Sequence, residues 1–335
     1  MCARYISDTN KVLGIHESGT YANKMNAGST FWIGQVISLS IDDNENKIIN
    51  RYLGTSSRNF GEIDQGPIDV TGTLTYHPQD MRIPFWAIGS GADGTAGSKV
   101  NHLVVETDTD SWLSPFTSGT GRLQAPISFT IEDSKQSPGT GANFIRTING
   151  CVPNVTTIKA TQGEKVSVDV NFIGQSLTHS SGATTDITEQ TNRPYLWSDC
   201  KLTISGNVIE TAKEISFEVN NNIEAPHYIN GSRVIAAPFP GARDYALSVT
   251  ADLSAPLADT LYTSLYKSNG TFNTTFDLDA DVTAGSQHTI IFMSGCKIMS
   301  MDVPSTTEGA SEFTIEIKPE IVIGSAFDRV LYKPF

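Results

Sequence analysis

The sequence predicts a mainly β protein made of two tandem β-sandwich domains, each with a short flanking helix. Three observations lead to this prediction. Many short segments alternate apolar and polar residues, which is typical of strands with one covered face. Long helical patterns are nearly absent. Only 18% of the residues are charged, below the roughly 25% of an ordinary globular domain.

The alternating segments are spread along the whole chain. In each of them the apolar side chains fall on one face and Ser, Thr, Asp or Glu on the other, because successive side chains of a strand point to opposite faces. The clearest examples are Val36–Ile41, Ile68–Leu74, Ile127–Ile131, Val166–Phe172, Ile215–Val219, Tyr245–Val249, Phe272–Leu278 and Phe313–Ile317.

Two short helices are expected between these strands. Leu257, Leu261 and Leu265 fall at i, i+4 and i+8 within Pro256–Lys267, and a helix tolerates proline near its start. A weaker candidate is Gln79–Ile88, which Pro84 interrupts.

Length and charge limit the function. The 335 residues suggest about two domains at roughly 150 residues each, and 23 Lys and Arg against 36 Asp and Glu give a formal charge of −13. An acidic chain with a pI near 4.8 is not expected to bind nucleic acid tightly, because phosphate binding needs clustered Lys and Arg.

The chain has no apolar run near the roughly 20 residues of a membrane helix, so we expect no membrane insertion. The start MCARYISDTNKVLG lacks the pattern of a signal peptide.

Motifs for catalysis or for a cofactor are lacking. The four cysteines show no CxxC spacing and the six histidines are scattered, so neither a zinc site nor a disulfide scaffold is expected. There is no HExxH, GxSxG or phosphate-binding loop, and Gly89–Gly97 is expected to be a flexible loop. We therefore expect no enzyme and no cofactor.

One acidic run has several interpretations. Asp277, Asp279 and Asp281 fall on one face of a predicted strand and resemble the start of a calcium loop, but Val282 and His288 occupy the positions of the required Gly and Glu. A solvated polar face, an acidic strip lining a channel and a metal site remain alternatives. A glycosidase pair would need two carboxylates roughly 5 to 9 Å apart, and scattered acidic residues do not favour it.

The predicted elements come in the same order twice, which indicates an internal duplication. A strand and a polar turn are followed in both halves by a strand, a short helix and another strand. Asn149-Gly150-Cys151 in the first half then corresponds to Ser294-Gly295-Cys296 in the second. The expected divisions are an N-terminal arm 1–30, a first domain 31–178 with an insertion 89–121, a linker 179–194, a second domain 195–320 and a C-terminal arm 321–335.

This order of parts resembles the tail tube proteins of long-tailed, non-contractile viruses, in their duplicated-domain form. The resemblance covers about residues 30 to 320. It depends on the segments Ile145–Val152, Ala160–Gly174, Ile215–Glu224 and Leu247–Leu253, together with the loop between Gly231 and Gly241.

The resemblance implies a structural protein of the virion tail, assembled in the host cytoplasm. Subunits with a duplicated domain would form trimeric, pseudo-hexameric rings whose strands join into one large ring-shaped barrel. The rings would stack into a hollow tube for genome delivery. The implied partners are copies of the same chain, a tape-measure protein and tail-completion proteins, with transient passage of DNA. An acidic wall would keep DNA from sticking, because carboxylates repel phosphates.

Several residues are candidates for these roles. Asp277, Asp279 and Asp281 are expected to line the channel. The loops Asp42–Asp64 and Asn220–Arg243 occupy matching places in the two halves and are expected to reach a neighbouring ring or subunit, or to be solvated turns. The candidate contact residues are Arg51, Arg58, Arg233, Arg243 and Trp112, since arginine pairs carboxylates bidentately and tryptophan anchors interfaces.

Other functions compete with the tail tube. The main alternative is a tandem β-sandwich module that binds carbohydrate, or an adhesin, on a virion or cell surface. The inner tube of a contractile injection device would use hexamers of a single domain, which the duplication disfavours. A polysaccharide hydrolase comes last.

Overall fold

The computed structural model describes residues 10–17, 21–22, 30–50, 62–89, 91–96, 99–105, 127–136, 143–183, 185, 187, 189–253, 259–280, 287–304 and 312–328. Within these ranges the chain forms twenty strands, two helices and one 3₁₀ turn at Trp197–Asp199. The predicted mainly β fold is confirmed. In the described residues, neither helix has the length and hydrophobicity to cross a lipid bilayer.

In chain order the strands are β1 (Lys11–His16), β2 (Thr30–Phe31), β3 (Gln35–Asn44), β4 (Ile48–Asn50), β5 (Glu62–Asp64), β6 (Asp69–His77), β7 (Gly91–Ala96), β8 (Lys99–Val105), β9 (Phe129–Gln136), β10 (Asn143–Thr161), β11 (Ser167–Gly174), β12 (Ser176–Ser180), β13 (Cys200–Ile204), β14 (Asn207–Val208), β15 (Ala212–Asn220), β16 (Asp244–Asp252), β17 (Phe272–Asp279), β18 (Gln287–Asp302), β19 (Glu312–Lys318) and β20 (Ile321–Asp328). Helix α1 is Arg82–Ile88, and helix α2, Thr260–Lys267, has the wider winding of a π-helix.

All of the strand pairs are antiparallel, and they build three larger sheets. Sheet I has the order β3-β6-β11-β10-β15-β16-β19-β18. Sheet II has the order β12-β10-β9-β1-β2. Sheet III has the order β14-β13-β17-β18-β20-β8-β7. The strands β4 and β5 form a separate hairpin.

One continuous apolar core lies between the sheets. It contains the inward residues of sheet I, such as Val170 and Phe217, and residues of the facing sheets, such as Ile131 and Phe276. Both helices add to it, α1 over its whole length and α2 through Leu261 and Leu265. The alternation of the strands produces this core, because every second side chain of sheet I points inward.

The long strands β10 and β18 each belong to two sheets, and a glycine marks the change of sheet. Gly150 and Gly295 have positive φ angles of 68° and 63°, which glycine adopts without the strain of a Cβ. The pairing of β10 with β9 skips at Gly150, and that of β18 with β17 skips at Gly295. The two Gly-Cys motifs are therefore bulges that pass a strand from an outer sheet to sheet I.

The two halves of sheet I match residue by residue. The pair Val152↔Ile173 of β10 and β11 recurs 145 positions later as Lys297↔Lys318 of β18 and β19. Both ladders then skip one residue at the same place. The β3–β6 ladder and the β15–β16 ladder also share a bulge. Residues of β15 follow their counterparts in β3 by 176 positions, and residues of β16 follow their counterparts in β6 by 175. The two repeats thus have the same pairing, including the irregularities.

Some local predictions differ from the structure. Gly91–Ala96 forms β7, so the prediction of a flexible loop at Gly89–Gly97 is wrong there, because pairing with β8 satisfies its backbone. The hairpin of β4 and β5 lies inside the predicted loop Asp42–Asp64. Strands β1 and β20 pair with β9 and β18 although they fall in the predicted terminal arms. The domain limits themselves stay predictions.

Helix α1 keeps its proline because of where the proline stands. Pro84 is the third residue of the helix, and the first-turn N–H groups of a helix have no partner within the helix. The missing N–H therefore costs no hydrogen bond.

Candidate assembly surface

The two repeats are joined by strand pairing within sheet I. The last part of β10 pairs with β15 over seven residue pairs. Ile158 and Phe217 lie opposite each other and are fully buried. On the polar face, the Lys159 Nζ lies 2.8 Å from the Glu214 Oε1, and this hydrogen-bonded carboxylate raises the pKa of Lys159. The joint combines an apolar inner side with an ion pair outside.

A buried polar network holds the second repeat to the helix of the first. The Nδ2 of Asn221, a fully buried residue, donates to the carbonyls of Ala87 and Pro153, each at 3.0 Å. The Arg243 Nε donates to the Asn221 Oδ1 at 2.6 Å, and the same guanidinium donates to the carbonyl of Ile88. Carbonyls at the end of a helix have no partner within it. Asn221 and Arg243 therefore cap helix α1 from the other repeat.

Asn154 completes this network from the bulge of β10. Its carbonyl accepts from the Asn221 N–H at 2.8 Å, and its Oδ1 accepts from the Ile223 N–H at 2.9 Å. The loop that follows β15 is thereby fixed at its first residues.

Loops from the two repeats also contact each other. The Arg233 Nε donates to the Gly66 carbonyl at 2.8 Å, and its Nη1 donates to the Gln65 Oε1 at 2.9 Å. The His227 Nε2 lies 2.8 Å from the Asp69 Oδ1. Large apolar side chains remain exposed on the β4–β5 hairpin and on the second loop: Ile48, Ile49, Ile63, Tyr228, Ile229 and Phe239.

Sheet I has two edges. Among the described residues, β3 has one strand neighbour, β6, and the end of β18 has one, β19. Apolar side chains are exposed at both edges, namely Ile37 (56%), Met299 (59%) and Val303 (40%). By the repeat correspondence, β3 is the counterpart of β15 and the end of β18 is the counterpart of the end of β10. The two edges are thus the counterparts of the two strands that pair at the joint.

Two hollows occupy corresponding places beside β3 and β15. The hollow beside β3 has a volume of about 510 Å³ and is lined partly by Lys11, Val12 and Val36. Its counterpart beside β15 measures about 180 Å³ and is lined by Lys201, Leu202 and Ala212 at the matching positions. Three residues at and just after the end of β10, Ala160, Thr161 and Gln162, also line the smaller hollow.

The polar face of sheet I is strongly acidic. By the strand registers this face carries four lysines, Lys159, Lys213, Lys297 and Lys318. It also carries the carboxylates of Asp42, Asp69, Asp169, Glu214, Glu218, Asp244, Asp252, Asp302, Glu312 and Glu316. Some charges are paired. Lys213 lies 2.6 Å from both Asp252 and Glu312, which raises its pKa, and the hydrogen bond from Lys318 lowers the pKa of Asp244.

Two of the three predicted channel residues lie on another sheet. Asp277 and Asp279 belong to β17 in sheet III, and the Asp277 Oδ1 lies 2.6 Å from the His288 Nε2. Asp281 lies outside the described residues. In the part of the chain that the structure describes, no three His, Cys, Asp or Glu side chains form a metal-binding group. The role of the three aspartates stays a prediction.

The predicted contact residues fall in two groups. Arg233 and Arg243 are described, and both contact the other repeat of the same chain. Arg51, Arg58 and Trp112 lie outside the described residues. A role of any of the five between rings or subunits stays a prediction.

Sequence reasoning missed Asn154 and Asn221. The run Asn220–Asn222 reads as a polar turn, and its middle residue is fully buried. The asparagine run was the available signal, but the helix carbonyl that Asn221 serves, that of Ala87, lies 134 positions away in the sequence.

A comparison with known families decides what kind of protein this is. The family described as phage tail tube protein matches residues 19–319, most of the chain. The chain belongs to the phage tail tube protein family. The predicted resemblance is thereby confirmed, and the tail tube protein is a structural component of the virion tail. Its family implies self-assembly into the tube of a phage tail. No curated protein matches the chain.

Proposed function

We propose that three copies of this tail tube protein close into a ring, and that the rings stack into a hollow tube through which the viral genome is delivered. The observation that carries the proposal is the β10–β15 joint. In this joint, one repeat already pairs with the other inside a single chain. The strands that correspond to β15 and β10 are β3 and the end of β18, and both lie at the edges of sheet I.

The repeat correspondence gives the register between copies. If the end of β18 pairs with β3 of the next copy as β10 pairs with β15, the in-chain pair Thr157↔Glu218 becomes Asp302 opposite Asp42. Three copies would then supply twenty-four strands, eight from each, and leave no free strand edge. The same pairing would cover Val303, which is exposed in the single chain.

The two hollows support this pairing. The smaller hollow is lined partly by the end of β10 from the other repeat. The larger hollow beside β3, of about 510 Å³, would lie beside the end of β18 of a neighbouring copy in the same way.

We propose that the acidic face of sheet I lines the channel. A surface that presents carboxylates to DNA repels its phosphates and avoids the counterion release that favours binding to Lys and Arg. Asp277, Asp279 and Asp281 on and after β17 are the alternative set for the same role. No catalytic step and no cofactor is needed for passive transport.

Stacking of rings would use the two long loops. The exposed apolar residues of the β4–β5 hairpin and of the loop after β15 support the prediction that these loops reach a neighbouring ring, with Arg51, Arg58, Arg233 and Arg243 as candidate contacts. Trp112, in the insertion 89–121, is the candidate contact between subunits. The further partners are a tape-measure protein inside the growing tube and tail-completion proteins at its ends. The tail would be of the long, non-contractile type, assembled in the host cytoplasm.

Disulfide cross-linking tests the ring. Asp42→Cys combined with Asp302→Cys should give, on mild oxidation, a covalent ladder that ends at three chains in non-reducing electrophoresis. The Cβ atoms of directly opposed residues in an antiparallel pair lie about 4.5–5.5 Å apart, within the reach of a disulfide. Asp43→Cys with Asp302→Cys is the matched control, because a shift by one residue points the thiol to the other face. Electron microscopy at rising concentration should show rings and tubes. A protein that stays monomeric and does not cross-link would refute the proposal.

A further inference from the structure

The correspondence of the repeats extends beyond the strands into the loops that follow β3 and β15. Asn46 and Asn222, displaced by 176 positions, both have positive φ angles, 41° and 45°. The Asn46 side chain donates to the Pro67 carbonyl and the Asp69 carboxylate. The Asn222 side chain donates to the corresponding groups of Ala242 and Asp244. The residue before each asparagine therefore corresponds too, and Glu45 is the counterpart of Asn221.

The second capping residue also has a counterpart. Arg243 precedes Asp244 at the start of β16 as Ile68 precedes Asp69 at the start of β6. The first repeat thus presents Glu45 and Ile68 where the second presents Asn221 and Arg243. Glu45 is half-buried, and an ionised carboxylate can accept but cannot donate hydrogen bonds. The first repeat is therefore unable to cap helix carbonyls as the second repeat does.

The two helices can be aligned by the backbone hydrogen bonds that the chain makes to them just before the next strand. The Ile127 N–H donates to the Trp86 carbonyl at 3.2 Å, and the Gly270 N–H donates to the Leu265 carbonyl at 3.1 Å. Phe129 of β9 pairs with Cys151, and Phe272 of β17 pairs with the corresponding Cys296, so the two phenylalanines are counterparts. Ile127 and Gly270 each come two residues before these phenylalanines and are therefore counterparts too. Trp86 therefore corresponds to Leu265, and Ile88, the residue that Arg243 contacts, corresponds to Lys267.

We propose that Glu45 of one copy forms an ion pair with Lys267 of the neighbouring copy, and that this contact replaces the Asn221–Arg243 cap wherever two chains meet. The inference rests on the proposed ring. Lys267 is exposed at the end of α2, with its Nζ 5.1 Å and 5.2 Å from the ring centres of Tyr262 and Tyr266. A carboxylate beside it completes a charge match at the place where the in-chain joint has hydrogen bonds. The partner is a second copy of this chain, and its specificity comes from complementary charge.

Charge reversal tests the pair. Glu45→Lys and Lys267→Glu should each raise the protein concentration needed for ring formation by about tenfold, because like charges then face each other at every contact between chains. The double variant with both changes should assemble within about threefold of the wild type. The controls are Glu210→Lys and Lys201→Glu, two exposed residues that carry the same changes of charge. Native mass spectrometry across a concentration series gives the ring fraction, and thermal unfolding of the monomer checks that each variant folds.

The outcomes separate this inference from the function on which it rests. A wild-type protein that never forms rings refutes the ring itself. Wild-type rings together with single variants that assemble normally refute the ion pair and leave the ring intact. A double variant that assembles no better than the single variants also refutes the pair, because rescue requires direct contact.

Discussion

The buried amide of Asn221 lies 2.6 Å from the guanidinium of Arg243, and together they hold the end of a helix that belongs to the other repeat. This contact, with the β10–β15 ladder, fixes how the two halves of the chain are oriented. A substitution that weakens this contact should therefore lower the stability of the whole chain more than a substitution at an exposed position does.

Replacing Asn221 tests this. Asn221→Ala should lower the free energy of unfolding by about 2–4 kcal/mol, because two carbonyls and the Arg243 Nε lose a buried partner. Asn221→Asp should also destabilise, since a carboxylate presents an acceptor to the same carbonyls. Urea denaturation measures the change. Asn273→Ala, at an exposed position, is the control, and an equal effect of the two alanine variants would contradict the role given to Asn221.

Gly150 should be intolerant of a side chain. A Cβ at this position would come within 2.8 Å of the Tyr21 ring, and φ is +68°. Gly150→Ala should therefore cost more than the roughly 1–2 kcal/mol of the left-handed conformation alone. Gly163→Ala isolates the conformational part, because φ is +84° and a Cβ there meets nothing within 4 Å. Equal losses of stability in the two variants would show that Tyr21 gives way.

His16 should make stability depend on pH. It packs against the rings of Phe31 and Trp86, and burial, with a smaller contribution from the nearby charge of Arg82, lowers its pKa from 6.5 to about 4. Between these values the unfolded chain binds a proton that the folded chain does not, so stability falls as pH drops from about 6.5 to 4.

His16→Phe should remove this part of the acid-induced loss. The difference in the urea midpoint between the variant and the wild type, measured at pH 7, 5.5 and 4.5, should therefore shift in favour of the variant as pH falls. Parallel profiles of the two proteins would contradict the assignment.

The two candidate channel walls can be separated by charge reversal. Changing Asp169, Glu218 and Glu316 to Lys should leave tube assembly largely intact and slow genome release from purified particles, because DNA would adhere to a basic wall. The matched variant changes Asp277, Asp279 and Asp281 to Lys. Slow release in the second variant and normal release in the first would assign the channel to β17 and its neighbours in place of sheet I.

The sequence predicted the strands well because each strand carries its own evidence. The alternation in Val166–Phe172 or Phe313–Ile317 records which face is buried, whatever the neighbouring strand. Where the strands begin and end was harder to predict from the sequence. Gly91–Ala96 reads as a loop by composition, and its pairing with β8 depends on a partner that the segment itself does not specify.

The candidate site was harder to predict because its contacts are distant in sequence. Arg243 was predicted as a contact to a neighbouring ring or subunit, which stays a prediction. Its bond to Ile88 within the same chain spans 155 positions, and no local pattern encodes it. Asp277 fits an acidic strip by alternation alone. Alternation gives the face of a strand but not the sheet to which the strand belongs, and β17 lies in sheet III.

The β10–β15 joint has a consequence for the kinetics of assembly. Since both strands belong to one polypeptide, they meet at an effective concentration set by the connecting chain and not by diffusion. In the proposed ring, half of the six repeat-to-repeat contacts would form during folding. Closing the ring would then require three molecules to meet where unlinked repeats would require six, so its yield would vary with the third power of the subunit concentration instead of the sixth.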